Sequence, residues 1–86
     1  MKKTEEKKDY PKISPMEFEL ILERYGMSKA KYCGLRGKCR SWFYEVLRPK
    51  SFVPVIDMDT LANEIGYSVL IQLANEVKVN KEANNE

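Results

Sequence analysis

Hydrophobic residues recur along this chain at the three- and four-residue spacing of amphipathic helices. The first such stretch begins at Ser14-Pro15, a typical helix start, and ends at Gly26, a typical helix stop. Its apolar positions form a one-sided stripe made of Phe18, Ile21, Leu22 and Tyr25. This pattern predicts a first helix that buries one face.

The same spacing and the same start and stop signals predict four more helices. We expect helix 2 over residues 28–35, helix 3 over about 39–47, helix 4 over roughly 57–65, and helix 5 from about residue 68. A loop with two prolines occupies residues 49–55. The chain therefore predicts an all-α fold of five short helices. The positions expected to face the core in helices 3 to 5 are Phe43, Val46, Leu47, Met58, Leu61, Ala62, Ile65, Leu70, Leu73, Ala74 and Val77.

Both ends of the chain lack the helical pattern. Residues 1–12 are highly charged and are predicted to be a flexible arm, and residues 80–86 are polar throughout and are predicted to be a disordered tail. Residues 13–79 remain as one folded domain, near the lower size for folding without disulfides or metal. Tyr10 and the arm's lysines could follow a DNA duplex or enter its minor groove, but the arm's three acids favour a merely solubilising tail.

Composition argues against several classes of protein. The charged N-terminus and the longest apolar run of three residues predict neither a signal peptide nor a membrane span, so a cytoplasmic protein is expected. Cys33 and Cys39 are not spaced like a zinc pair, and the chain has no histidine to complete a site. We therefore expect no metal, cofactor, small-molecule ligand or disulfide. The lack of histidine also removes the commonest general base, so no enzyme is expected.

Positive charge is concentrated in the 22 residues from Lys29 to Lys50. This window carries seven basic residues and one acid, a net charge of +6, whereas the whole chain carries +2. A split this sharp favours a face built for a polyanion, and a solvated lysine-rich surface is the alternative. The basic residues of the window are Lys29, Lys31, Arg36, Lys38, Arg40, Arg48 and Lys50.

Three stretches occur in an informative order. Residues 22–28 read Leu-Glu-Arg-Tyr-Gly-Met-Ser, residues 59–68 read Asp-Thr-Leu-Ala-Asn-Glu-Ile-Gly-Tyr-Ser, and residues 37–50 end in Arg-Pro-Lys. They resemble, respectively, the end of helix 1 (L-R-E-x-G-L-T), helix 4 with its exit (L-x-x-I-A-x-A-L-G-V-S), and the turn with the recognition helix of the lambda-repressor and Cro-like (XRE-type) helix-turn-helix family. The resemblance covers about residues 16–77.

This resemblance implies a compact five-helix lambda-repressor-like DNA-binding domain, with the helix-turn-helix at helices 2–3 and recognition helix 39–47 in the major groove. It also implies that Arg40, Ser41 and Glu45 read bases and that Lys29 holds a phosphate. The alignment puts Arg36 and Lys38 at two normally apolar sites. Either their stems are buried, or the turn is irregular with Leu35 in the buried role, or the alignment slips by one residue.

A helical wheel completes the expected DNA-binding set. It places Tyr44 outward beside the base-reading positions, while Trp42 fits either a packed edge of the core or a contact with the sugar-phosphate backbone. The residues expected to read bases are Arg40, Ser41, Tyr44 and Glu45. The residues expected to contact phosphates are Lys29, Arg36, Lys38, Trp42, Arg48 and Lys50.

Helix 5 carries apolar residues outside its core-facing stripe, namely Val69, Ile71 and Val79. One module of this size reads only about four or five base pairs, so we expect a homodimer on a palindromic operator, joined through these residues. The predicted function is that of a phage or mobile-element transcriptional regulator, a repressor or Cro-like protein associated with the nucleoid. The alternative is an antirepressor-like or antitoxin-like protein-interaction module with weak or no DNA binding.

Overall fold

The computed structural model describes residues 10–84, with side chains up to residue 78. All regular secondary structure within residues 10–84 is helical, so the predicted all-α class is confirmed. The helices are α1 (Pro15–Tyr25), α2 (Lys29–Leu35), α3 (Arg40–Trp42) with its π-helical continuation (Phe43–Leu47), α4 (Val55–Ile65) and α5 (Tyr67–Asn84). None of these helices has the length and apolar character needed to cross a bilayer.

Local hydrogen bonds explain the limits of α1. The Ser14 hydroxyl accepts from the Glu17 backbone N–H at 3.2 Å, and the Glu17 carboxylate accepts from the Ser14 N–H at 2.9 Å. This reciprocal capping box satisfies two N–H groups that the helix itself leaves unpaired. At the other end Gly26 adopts a left-handed conformation with φ 95° and donates to the carbonyl of Leu22. The predicted start and end of the first helix are confirmed.

A short turn joins α2 to α3. Ser28, the first residue expected in helix 2, caps α2 by accepting from the Lys31 N–H at 3.0 Å. Gly37 then takes a positive φ of 71°, and the Lys38 N–H donates to the Cys33 carbonyl at 2.9 Å. This closed turn ends α2 and sets the start of α3.

The second half of the predicted helix 3 is a π-helix. The Arg48 N–H donates to the Phe43 carbonyl at 2.8 Å, a bond that spans five residues rather than four. Phe43 and Leu47, four positions apart, both face the core, and the wider turn rotates Val46 away from it, so that Val46 is 45% exposed. The prediction that Val46 is buried is therefore wrong.

The last two helices carry most of the predicted core positions. α4 begins at Val55, two residues earlier than expected, and its four predicted core residues are buried. In α5, Leu70, Ala74 and Val77 are buried and Leu73 is partly buried. α5 continues to Asn84, so residues 80–84, expected to be disordered, are helical. Neither proline nor glycine interrupts that stretch.

α1 and α4 both pack against α5, and an aromatic cluster links α1, α2 and α3. Tyr32 is fully buried, with its ring centroid 5.0 Å from that of Phe18 and 6.5 Å from that of Phe43. Tyr25, expected in the buried stripe of α1, is instead exposed. The core gains Ile13, whose carbonyl accepts from the Val53 N–H at 2.7 Å.

Residues 10–12 belong to the folded unit rather than to a flexible arm. The Tyr10 hydroxyl donates to the Asp59 carboxylate, and the Tyr10 ring lies 5.6 Å from that of Tyr67. The Lys12 carbonyl accepts from Lys78 Nζ at 2.9 Å. Tyr10 is thus held against α4 and α5. The rest of the predicted arm, including its paired lysines, lies outside the described residues.

Candidate nucleic-acid interface

The four residues expected to read bases lie on the exposed side of α3 and its π-helical continuation. Because Phe43 and Leu47 anchor this segment in the core, the exposed side is held in a fixed orientation. Each of the four is exposed, and none of them contributes to the buried cluster: Arg40, Ser41, Tyr44 and Glu45. The structure therefore presents hydrogen-bonding groups and one aromatic ring to solvent from a single helical segment.

A groove of about 400 Å³ separates this segment from the junction of α1 and α2. Arg40 and Tyr44 line one side, and Ser28 and Lys29 line the other. The structure thus brings a predicted phosphate contact close to two predicted base-reading residues.

An acid on α1 organises the cations around this groove. The Glu19 carboxylate places Oε1 3.7 Å from Lys29 Nζ and Oε2 2.9 Å from Arg48 Nε. The side chains of Glu19, Lys29 and Arg48 are 14%, 28% and 42% exposed. Arg48 also lies over the Tyr44 ring, 5.6 Å from its centroid. Sequence patterns did not predict Glu19 as a site residue, because its pairing partners lie ten and 29 positions away.

Arg36 has a structural partner in the protein. Its Nε lies 2.8 Å from Oδ1 of Asp57, a carboxylate that is 1% exposed. The Tyr32 hydroxyl donates to the same oxygen at 2.6 Å. Burial and the hydrogen bond to Asp57 raise the pKa of Tyr32 far above its usual range, and the hydrogen bond to Asp57 raises the pKa of Arg36. Leu35 is exposed and does not take the buried role considered for it.

Trp42 is partly buried and packs against the core, which corresponds to the first of the two predicted alternatives. The Arg36 guanidinium lies 5.1 Å from the centroid of the Trp42 ring, so the turn and the helix are also joined by a cation–π contact. Because Trp42 and Arg36 contact each other, we assign both a structural role, in which they stabilise the packing of α2 against α3.

The remaining cations of the window are exposed. Lys38 lies in the turn before α3, and Lys50 follows the π-helical segment, so they flank the outward face at its two ends.

Both cysteines are free thiols. Cys33 is buried, whereas Cys39 is exposed with its Sγ 3.1 Å from the Ser41 Oγ, a hydrogen bond that lowers the pKa of the Cys39 thiol.

Two of the three residues expected at a dimer interface have described side chains. Val69 is exposed on α5, and Ile71 is half-buried and lines a groove of about 520 Å³ with Tyr67, Gln72 and Asn75. The side chain of Val79 lies outside the described residues.

No protein-family model, curated protein or solved structure matches this chain in comparisons with known proteins. The function is therefore inferred from the chain's own residues and geometry.

Proposed function

We propose that the protein binds double-stranded DNA in a sequence-specific manner and regulates transcription, through a lambda-repressor-like helix-turn-helix made of α2 and α3. The proposal depends on the exposed face of α3 and its continuation. Four side chains able to read bases lie on this face, and cations flank it. The short turn at Gly37 and the buried anchors Phe43 and Leu47 are the features such a motif needs to hold its recognition helix rigidly.

The base-reading chemistry follows from the donors and acceptors on this face. Arg40 can donate two hydrogen bonds to the O6 and N7 atoms of guanine, and Glu45 can accept from the cytosine amino group. Ser41 can donate to or accept from several base edges, and the Tyr44 ring offers an apolar surface for a thymine methyl group. These groups enter the major groove together only if the N-terminal half of the segment points into it.

Four exposed or half-exposed cations form the proposed phosphate set: Lys29, Lys38, Arg48 and Lys50. Contacts of this kind fix the register of the protein on the duplex and carry no sequence information themselves. Arg36 is left out because its side chain is mostly buried against the nearly inaccessible Asp57 carboxylate, whereas Lys29 and Arg48 keep more of their side chains in solvent. The proposed interface therefore carries less positive charge than the basic window suggests.

We also propose that two copies bind a palindromic operator through α5, with Val69 and Ile71 at the contact. A two-fold dimer would place half-site centres about 34 Å apart, one turn of the duplex. Regulators of this compact kind act in phages and mobile elements as repressors or Cro-like proteins.

Selection from a random pool of duplexes tests this function. The protein should enrich a short pseudo-palindrome whose half-sites lie about 10 base pairs apart. Retention of a random population after several rounds would contradict sequence-specific binding.

A second candidate, a protein-interaction module of antirepressor or antitoxin type, is favoured by one surface feature. Phe52, Val55 and Ile56 lie within five residues, and each is more than half exposed. Exposed apolar side chains that form one patch are typical of protein contacts. Under this alternative, Ile56→Asp would abolish partner binding, and the unchanged protein would bind mixed duplex DNA weakly or not at all.

A further inference from the structure

Two cations of the proposed phosphate set already hold an anion inside the protein. Lys29 approaches one oxygen of the Glu19 carboxylate and Arg48 approaches the other, from α2 and from the end of the π-helical segment. The carboxylate is largely enclosed, whereas both cations keep part of their side chains in solvent. Three separate segments thus meet at one negative charge beside the groove that contains Arg40 and Tyr44.

This arrangement matches the chemistry of a phosphodiester. A carboxylate and a phosphodiester each carry one negative charge shared by two oxygens, and each can accept from two cations at once. The Arg48 Nε and Glu19 Oε2 atoms form an ion pair at 2.9 Å without a hydrogen bond, so the guanidinium, with five N–H donors, can still donate to a second acceptor. The lysine ammonium likewise has three donors.

We propose that Glu19 occupies the place of a DNA backbone phosphate between Lys29 and Arg48 in the free protein, and that its negative charge lowers the affinity of these two cations for DNA. The inference rests on the proposed DNA-binding function and adds a residue that tunes it. In the free protein the three groups carry a net charge of +1. An incoming phosphate is attracted by the two cations and repelled by the carboxylate between them, so Glu19 lowers the affinity that the cations alone would give.

Neutralising Glu19 should therefore strengthen binding. Glu19→Gln keeps the size of the side chain and removes its charge, and the loss of one like charge a few ångströms from the phosphate should raise affinity about tenfold at low salt. Glu64→Gln, an exposed position on α4, makes the same change in net charge and should raise affinity about twofold or less. A merely structural role for Glu19 predicts weaker binding, because loss of the ion pairs would free the two cations.

The decisive experiment compares the unchanged protein, Glu19→Gln and Glu64→Gln by fluorescence anisotropy on a mixed-sequence duplex, with a thermal melt of each protein. Tighter binding by Glu19→Gln alone supports the inference. Equal affinities for the two variants, or weaker binding by Glu19→Gln with an unchanged melt, would overturn it. If Glu19→Gln does not fold, Glu19→Asp withdraws the carboxylate by one methylene group and should give a smaller gain in the same direction.

A second arm separates this inference from the proposed function. Inorganic phosphate is titrated into the same proteins while the amide signals of Lys29 and Arg48 are followed by NMR. Stronger phosphate binding by Glu19→Gln supports the anion site even if the unchanged protein fails to bind DNA, in which case only the DNA proposal falls. No gain in phosphate binding over Glu64→Gln overturns the site, whatever the protein does with DNA.

Discussion

Arg36 Nε lies 2.8 Å from Asp57 Oδ1, which joins the end of α2 to the first turn of α4 through a nearly inaccessible carboxylate. Tyr32 donates to the same oxygen, so the acid is satisfied from two sides. This pair explains how a charged arginine is accommodated, mostly out of solvent, at the end of α2. The buried charge has a partner, and the Arg36 guanidinium also lies 5.1 Å from the centroid of the Trp42 ring.

Removal of Asp57 should destabilise the fold strongly. Asp57→Ala leaves Arg36 and the Tyr32 hydroxyl without their shared acceptor in a largely buried place, and we expect a loss of about 3 kcal/mol in the free energy of unfolding. Denaturant melts measure it. Glu64→Ala, an exposed acid on the same helix, should cost less than about 0.5 kcal/mol. Equal losses for the two variants would show that the buried pair adds nothing.

The role assigned to Arg36 has its own test in binding. Arg36→Gln should lower the melting temperature yet leave the salt dependence of DNA affinity unchanged, because this guanidinium contacts Asp57 rather than phosphate. Lys50→Ala should do the opposite, leaving the melt unchanged and reducing the slope of log K against log salt by about 0.9. A reduced slope for Arg36→Gln would return this residue to the phosphate-contacting set.

Stability should fall at alkaline pH. The pKa of Tyr32 is raised in the folded protein by burial and by Asp57, while in the unfolded chain it stays near its ordinary value of 10. As pH rises above 10 the unfolded chain loses this proton first, so the stabilising effect is fully present below pH 10 and is lost above it, by up to about 1.4 kcal/mol per pH unit.

Tyr32→Phe isolates this contribution. The variant should lose about 1–3 kcal/mol at neutral pH, because Asp57 loses a donor, and it should then show a shallower decline between pH 10 and 11. Denaturant melts across this range measure the slopes. Tyr25→Phe, at an exposed tyrosine, controls for the general alkaline response. A decline in Tyr32→Phe parallel to that of the unchanged protein would contradict the assignment.

The π-helical turn predicts very different losses of stability for substitutions at two adjacent residues. Leu47→Ala should lose about 2–5 kcal/mol because the side chain is fully buried, whereas Val46→Ala should lose less than about 1 kcal/mol. Denaturant melts of the two variants give the comparison. A regular α-helix would bury Val46, so a large loss at Val46 would contradict the π-helical geometry.

Short-range signals predicted the helices well. Ser14, Ser28 and Gly26 act within their own turn, so these caps and this stop can be recognised from neighbouring residues alone. The errors come from departures from the 3.6-residue period and from the limits of a single-helix wheel. Val46 turns outward because of the π-helical hydrogen bond between Arg48 and Phe43, which no local sequence pattern indicates. Tyr25 lies at the end of α1, where the helix extends beyond its buried face.

Pairings between distant residues were not predictable in the same way. The sequence identified the cations of the window, but it could not show that Asp57 would meet Arg36 or that Glu19 would meet Lys29 and Arg48. These contacts join residues 10 to 29 positions apart and depend on how α1, α2 and α4 pack. These ion pairs alter the expected site more than any other finding, because they show which cations of the window have a partner inside the protein.

Arg40 offers the test of base reading. Arg40→Ala should cost about 1–3 kcal/mol of binding free energy on the preferred site and relax selection at one base pair, without lowering the melting temperature. Lys38→Ala, at the neighbouring turn position, should weaken binding to all sequences alike. Repeating the selection from random duplexes with each variant measures both effects. An unchanged preference in Arg40→Ala would mean that another part of the helix faces the bases.

The salt dependence of binding to duplex DNA tests the central claim most directly. If Lys29, Lys38, Arg48 and Lys50 each neutralise a phosphate, log K should fall linearly with log salt, with a slope of about −3 to −4 per monomer. Anisotropy titrations at four or more salt concentrations, with the preferred duplex and with mixed sequence, give this slope. We predict that slope on both duplexes, with higher affinity for the preferred one. An affinity that is the same at low and moderate salt, or no measurable binding at low salt, would contradict DNA binding through this face.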